Sequence, residues 1–217
     1  MISYASIEQA ERRIRGMVHR TPVVASGLLN HWLGHEIHFK AECLQKVGAF
    51  KARGAANTIL KWIESGADAR KIIANSSGNH AQAVAWASRA LGLSCVVYMP
   101  EGASMSKRQA TLGYGAEVLA LPSRAEVDER VAVESRRDGV QWIPPYDHPD
   151  VIAGQGTATL ELCDQIREVD ALFAPCGGGG LLAGAAIALR TRIPGAKIFG
   201  AEPALADDAM RSVDCGR

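Results

Sequence analysis

Short runs of consecutive apolar residues alternate along this chain with longer segments whose apolar residues recur every three or four positions. The runs EIHFKAE (36–42), KIIAN (71–75), SCVVYMP (94–100), AEVLALP (116–122), VQWIP (140–144), the start of ALFAPCGGGG (171–180) and AKIFGAEP (196–203) predict strands. Between them, FKARGAANTILKWIES (50–65) predicts a helix, with Ala56, Ile59, Leu60 and Ile63 at helical spacing. HAQAVAWASRALG (80–92), SKRQATLGYG (106–115), the charged stretch 123–138, VIAGQGTATLELCDQI (151–166) and LLAGAAIALRT (181–191) predict further helices. The amphipathic N-terminus, MISYASIEQAERRIRG, predicts a surface helix. Strands that are apolar throughout are covered on both faces, and strand–helix alternation places them in parallel sheets. The pattern therefore predicts α/β architecture.

Composition narrows the function without naming it. A formal net charge of +1 over 217 residues, with acids and bases interspersed, gives no reason to expect a nucleic-acid or acidic-surface partner. No apolar stretch is long enough for a bilayer, and the N-terminus lacks the apolar core of a secretory signal. Five cysteines, an odd number without C-x-x-C spacing, argue against a disulfide framework or a zinc site. These features predict a cytoplasmic protein with reduced thiols.

Three segments carry candidate chemistry. In ALFAPCGGGGLLAG, Gly177, Gly178, Gly179 and Gly180 stand between a strand and a helix. Glycines there let backbone N–H groups converge at the positive end of the helix, where a phosphate is the natural ligand. A tight turn is the plainer alternative, but it needs fewer glycines. Neither a Walker lysine nor G-x-G-x-x-G spacing is present. In IIANSSGNHAQA, Ser76, Ser77, Gly78, Asn79 and His80 follow a strand and open a helix, which suits either a carboxylate site or an ordinary helix cap. In VGAFKARGAAN, Lys51 lies near a helix start, where burial would favour the neutral amine. Cys176 beside the glycines reads as a small buried residue, and His148 as part of a loop.

VGAFKARGA, SSGNHAQA, PCGGGGLLAG and HPDVIAGQGTATLEL (148–162), in this order, resemble the fold-type II pyridoxal phosphate (PLP) enzymes. Within them the sequence is similar to the serine/threonine dehydratases, with serine racemase and 3-hydroxyaspartate dehydratase as near relatives. The pair Tyr146-Asp147 resembles the dehydratases more than animal racemases. The resemblance implies a tryptophan synthase β-like fold of two parallel-sheet, three-layer lobes. Residues 71–147 would form the small lobe, inserted into a large one made of 1–70 and 148–217. It implies PLP as cofactor, with Lys51 as the Schiff-base lysine, Phe50 against the ring, Asn79 on the ring hydroxyl and Gly177, Gly178, Gly179 and Gly180 on the phosphate. Ser76, Ser77, Asn79 and His80 would receive the substrate carboxylate, and Ser77 matches the second acid/base of racemases. In AEPALADD, Glu202, Asp208 and the Ala206 carbonyl resemble a Mg²⁺ or Ca²⁺ site.

The implied activity is dehydration and deamination of a small β-hydroxy amino acid, L-threonine or L-serine, to a 2-keto acid and ammonia. Racemisation of serine and dehydration of 3-hydroxyaspartate are the alternatives within the fold. The family also implies a homodimer. A Ser or Cys in a Ser-Gly-Gly-like motif faces the cofactor's pyridine nitrogen in such enzymes, and nothing in this sequence matches it. The expectation is a chain truncated at its C-terminus, with an incomplete large lobe, and an inactive fragment of such an enzyme is the reading from a different class.

Overall fold

The computed structural model describes residues 2–68 and 71–216, so residues 1, 69, 70 and 217 of the expected large lobe lie outside the described residues. Helix α1 (Tyr4–Ile14) starts at Ser3, whose side chain accepts the Ser6 N–H in a reciprocal capping box. Its Ile7, Ala10 and Ile14 are buried, so the expected surface helix is docked along one face. Strand β1 (Val23–Ala25), helix α2 (Gly27–Leu33) and strand β2 (His38–Lys40) follow, and β1 pairs with β2 antiparallel. This antiparallel pair, joined through α2, departs from the all-parallel expectation. β2 is also shorter than the run 36–42, because its one partner has only three residues and Glu42 turns inward into a short 3₁₀ helix.

Helix α3 (Lys51–Glu64) then leads to an alternating series. It comprises β3 (Lys71–Asn75), α4 (Asn79–Ala90), β4 (Ser94–Pro100), α5 (Met105–Gly113), β5 (Glu117–Leu121), α6 (Arg124–Glu134) and β6 (Val140–Trp142). The four strands form one parallel sheet in the order β5-β4-β3-β6. Successive residues of β3 and β4 point to opposite faces. Ile72, Ala74, Val97 and Met99 pack with Ala81 and Val84 of α4 and Ala55 and Ile59 of α3. Ile73, Val96 and Tyr98 pack with Val127 and Val131 of α6. Covering on both faces is why these strands read as unbroken apolar runs.

Helix α7 (Pro149–Gln165) is buried continuously from Val151 to Cys163. It is packed against α1, α3 and α8 (Gly180–Arg192). β7 (Ala171–Pro175) and β8 (Lys197–Ala201) form a second, two-stranded parallel sheet, and α9 (Asp208–Asp214) ends the described chain. Phe173 and Phe199 stack at 4.9 Å on an exposed face of this sheet. No helix among the described residues is long and apolar enough to cross a membrane.

Candidate active site

The helices α3, α4, α5, α8 and α9 receive no hydrogen bond from the side chain of their N-cap residue, and in two of them, α4 and α8, that residue is a glycine. β7 runs through Cys176 and the glycines into α8, whose N-cap is Gly179 at φ 79°, a left-handed conformation that glycine adopts without strain. α4 begins at Asn79 with Gly78 as N-cap. Neither cap residue offers a side-chain acceptor, so each helix start presents backbone donors and partial positive charge of the kind that receives anions. In the β3–α4 loop, Ser76 Oγ accepts the Gly78 N–H at 3.2 Å instead of capping the helix. Asn79 is exposed and His80 is buried. The end of β3 is held by Asn75, which accepts from Trp142 Nε1 at 2.9 Å and donates to Asp128 at 2.8 Å.

The glycines of the second loop do different work. A Cβ on Gly178 would lie 2.2 Å from the Tyr146 ring, and one on Gly180 would lie 2.7 Å from the Tyr146 carbonyl oxygen. At Gly177 and Gly179 a Cβ would meet nothing within 4 Å. The loop is thus pressed against Tyr146 on one side and open on another. Backbone left open on one side at a helix start with a glycine cap suits a phosphate. Cys176 is half-buried rather than buried. Its N–H donates to Ala201 O at 2.9 Å, so it continues the sheet ladder.

Lys51 is the first residue of α3, following Phe50, and its Nζ lies 5.2 Å from the Phe50 ring centroid. The ammonium donates to the Pro145 carbonyl. Burial lowers the Lys51 pKa to about 8, so a useful fraction of neutral amine exists near neutrality. His80 Nε2 lies 2.9 Å from Ile143 O, and burial, with the charge of Lys51 as a lesser cause, lowers its pKa to about 4. Its imidazole is turned inward, so any contact of His80 with a carboxylate in the loop would come from its backbone N–H.

These contacts share one hub. Ile143 meets His80, Pro145 meets Lys51, and Tyr146 meets Gly178 and Gly180. The segment Ile143–Tyr146 leaves the end of β6 and draws the lysine, the β3–α4 loop and the glycine loop together. Sequence reasoning did not find this role, and the only sign of it was the pair Pro144-Pro145 after a strand. It also passed over the ion cluster beneath Lys51. Arg53, whose side chain is 0% exposed, makes a two-pronged pair with Glu42 at 2.8 Å and 2.8 Å. It pairs likewise with Glu161 at 2.7 Å and 2.9 Å. Lys40 Nζ reaches the same Glu161 at 2.7 Å. Burial alone would push the Glu161 carboxyl up, but hydrogen bonds from Arg53 and Lys40 outweigh it and hold it below the usual range. The same burial lowers the Lys40 pKa.

Glu202, Ala206 and Asp208, the residues expected around a cation, lie at or just before the start of α9. Both carboxylate oxygens of Glu202 accept backbone N–H groups at the start of α9, from Ala209 at 3.1 Å and Met210 at 3.0 Å. Asp208 is exposed, and Ala206 N–H is bonded to Pro203 O at 2.8 Å. Among the described residues, no three of His, Cys, Asp and Glu cluster to hold a metal. As arranged, Glu202 serves the α9 terminus. His148, expected in a loop, is the N-cap of α7, its Nδ1 accepting the Asp150 N–H at 3.3 Å.

A half-buried lysine amine, an open glycine turn at one helix start and a second helix start with a glycine cap are groups of the kind that suit an aldehyde-bearing phosphate and a carboxylate. The sequence profile of the family "Pyridoxal-phosphate dependent enzyme" matches residues 14–217, and the chain belongs to that family. It is 45% identical over 215 residues to an L-threo-3-hydroxyaspartate ammonia-lyase of Saccharomyces cerevisiae, covering 99% of this chain and 66% of that one. It is 42% identical to a serine racemase of Schizosaccharomyces pombe, covering 97% and 65%. The crystal structure of a serine racemase from Dictyostelium discoideum superposes with a TM-score of 0.91 at 39% identity, covering 100% of this chain and 70% of that one. That of a threonine deaminase from T.th. superposes with a TM-score of 0.92 at 44% identity, covering 99% and 70%. The fold is that of the fold-type II PLP enzymes, and the chain spans about two thirds of the length of these curated relatives.

Proposed function

We propose that the chain carries the lysine and phosphate cradle of a PLP-dependent lyase. Its substrates would be small β-hydroxy amino acids, L-serine or L-threonine, with 3-hydroxyaspartate in the same class. The products would be a 2-keto acid and ammonia. The observation that carries this reading is the convergence of Lys51, the β3–α4 loop and the glycine loop on Ile143–Tyr146. The relatives, named as ammonia-lyase, racemase and deaminase, support the reaction class. We keep the lobe division at 71–147, which contains the whole four-stranded sheet.

PLP, when bound, supplies an electron sink for the substrate's α-carbon. Lys51 anchors it through the amine and afterwards serves as the base that takes the Cα proton, because burial makes the neutral form available. Backbone donors of Gly177, Gly178, Gly179 and Gly180 hold the phosphate, with Phe50 and Asn79 toward the ring. The α4 start, with Ser76, Ser77 and Asn79, holds the substrate carboxylate and so orients the Cα–H bond. Loss of that proton together with the β-hydroxyl removes water, and hydrolysis then yields the keto acid and ammonia. Ser77, on the carboxylate loop, is the group that would return a proton on the other face in a racemisation.

The test is borohydride reduction of the protein with PLP, followed by peptide mass spectrometry. A phosphopyridoxyl adduct on Lys51, absent from Lys51→Ala, is the expected result, and wild-type protein without an adduct there would falsify the assignment. Pyruvate and D-serine formed from L-serine are then measured side by side. Excess pyruvate supports the lyase and excess D-serine the racemase, whereas neither product from a labelled chain leaves a cofactor-binding fragment.

A further inference from the structure

Beyond Trp142, the segment Ile143–Tyr146 has few ways to be held. Ile143 N–H makes the last sheet-like bond, to Ile73 O at 3.0 Å. Pro144 and Pro145 have no N–H to donate, so the sheet ladder cannot continue through them. Apart from the Tyr146 N–H, what remains are carbonyl acceptors, which need donors from elsewhere. Tyr146 O receives the His148 N–H at 3.1 Å, Pro145 O receives Lys51, and Ile143 O receives His80. Among the donors from outside this connection, Lys51 is the group to be positioned and His80 is the fixed one.

The chemistry of His80 suits that task. A carbonyl only accepts, so the ring nitrogen facing Ile143 O carries the hydrogen, and Nδ1 is left as a buried acceptor with no partner among the described residues. The residue is 3% exposed. Burial and the neighbouring Lys51 charge both disfavour the imidazolium, so this tautomer persists across the neutral range. An apolar side chain of similar volume would fill the space without stranding Nδ1. The hydrogen bond to Ile143 is what the imidazole adds.

We propose that His80 is a positioning residue, whose Nε2–H fixes the Ile143 carbonyl and thereby the Ile143–Tyr146 segment that holds Lys51 in its water-poor setting. The inference rests on Lys51 being the reacting amine. It assigns His80 a role through its side chain, apart from any carboxylate bound at its backbone N–H.

The experiment measures Lys51 itself in the cofactor-free chain. Lysines are reductively methylated with ¹³C-formaldehyde, the Lys51 signal is assigned by its loss in Lys51→Arg, and its pH titration is followed by NMR. The wild-type midpoint is expected near 8. His80→Gln keeps an N–H near the Nε2 position and is expected to titrate like wild type. His80→Leu and His80→Asn, whose amide stops short of Ile143, should let water reach the amine. Their midpoint should rise by about one unit or more toward the ordinary lysine value of about 10.4. A midpoint in folded His80→Leu equal to that of wild type overturns the proposal and leaves a space-filling histidine, and His80→Asn makes the same comparison if the leucine variant does not fold. A wild-type midpoint already at the ordinary value overturns it too. The borohydride adduct on wild-type Lys51 is read separately, so a failed cofactor assignment is distinguishable from a failed role for His80.

Discussion

At the residue scale, Lys51 pits stability against chemistry. Burial lowers its pKa to about 8 in the folded chain, against about 10.4 when unfolded, so its amine takes up a proton only at lower pH once folded. Between those values the unfolded chain holds more protons, so stability rises with pH across that window. Below it, the folded state bears the whole cost of a buried charge. Lys51→Met is therefore expected to stabilise the cofactor-free chain by about 1–3 kcal/mol near neutrality and to flatten its stability between about pH 8 and about pH 10.4. Thermal melting across that range, beside wild type, checks both statements. An unchanged slope would mean that Lys51 is well hydrated. Gly178 faces a steric demand instead. With a Cβ placed 2.2 Å from the Tyr146 ring, Gly178→Ala should cost about 1–3 kcal/mol in urea unfolding and weaken PLP binding. The double variant with Tyr146→Ala should regain part of that stability, and additivity of the two losses would show that ring and glycine do not press on each other.

Among elements, the orientation of α3 decides where Lys51 points, and Arg53 is what ties α3 down. Its guanidinium joins Glu42, from the short 3₁₀ turn after β2, to Glu161 on α7, with Lys40 of β2 closing the cluster. A buried pair adds little net stability, yet breaking one leaves a carboxylate unpaired in a dry place. Arg53→Met should lower stability by about 3–5 kcal/mol by urea denaturation, with Arg53→Lys failing to restore it because a lysine cannot bridge both carboxylates in forked geometry. A loss below about 1 kcal/mol would mean that water reaches the cluster. The α3–α7 crossing is close for a second reason. A Cβ on Gly154 would lie 2.6 Å from Gly54 Cα, so the two backbones meet where only glycines fit. This contact explains Gly154 within VIAGQGTATLEL, whereas Gly156 in the same stretch is pressed instead against Ile7 of α1 and Gly184 of α8.

Over the whole molecule, the two parallel sheets differ in how they are finished. The four-stranded sheet is covered on both faces, whereas β7–β8 leaves Phe173 at 70% and Phe199 at 43% exposed. Val24, Leu28, Trp32 and Phe39 add exposed apolar area around the antiparallel pair and α2. Apolar patches of this kind drive association. Sedimentation velocity over a micromolar concentration series is expected to show self-association that falls when Phe173 and Phe199 are both changed to serine. The same profile for both proteins would place the sticky surface elsewhere, with the α2 patch as the next to alter.

The sequence alone determined the order of the elements, because helical and strand periodicity and runs buried on both sides are local properties of a chain. KIIAN and SCVVYMP became β3 and β4 without a change of boundary, and the glycine turn, the SSGNH loop and Lys51 all fell at element ends as their residue types require. The antiparallel pair was less legible, since β1 is three residues long and carries no alternation. Burial of the N-terminal helix depended on a partner face 140 or more residues away, as Ile7 packs near Ala153 and Leu160. Only the tertiary structure decided how the motifs meet. Contacts such as Lys51 with Pro145, His80 with Ile143, Gly178 with Tyr146 and Arg53 with Glu161 join residues that sequence separates by tens of positions. No periodicity records such pairs. They exist because packed sheets and crossing helices bring element ends together, and there burial and geometry set the charge of each group.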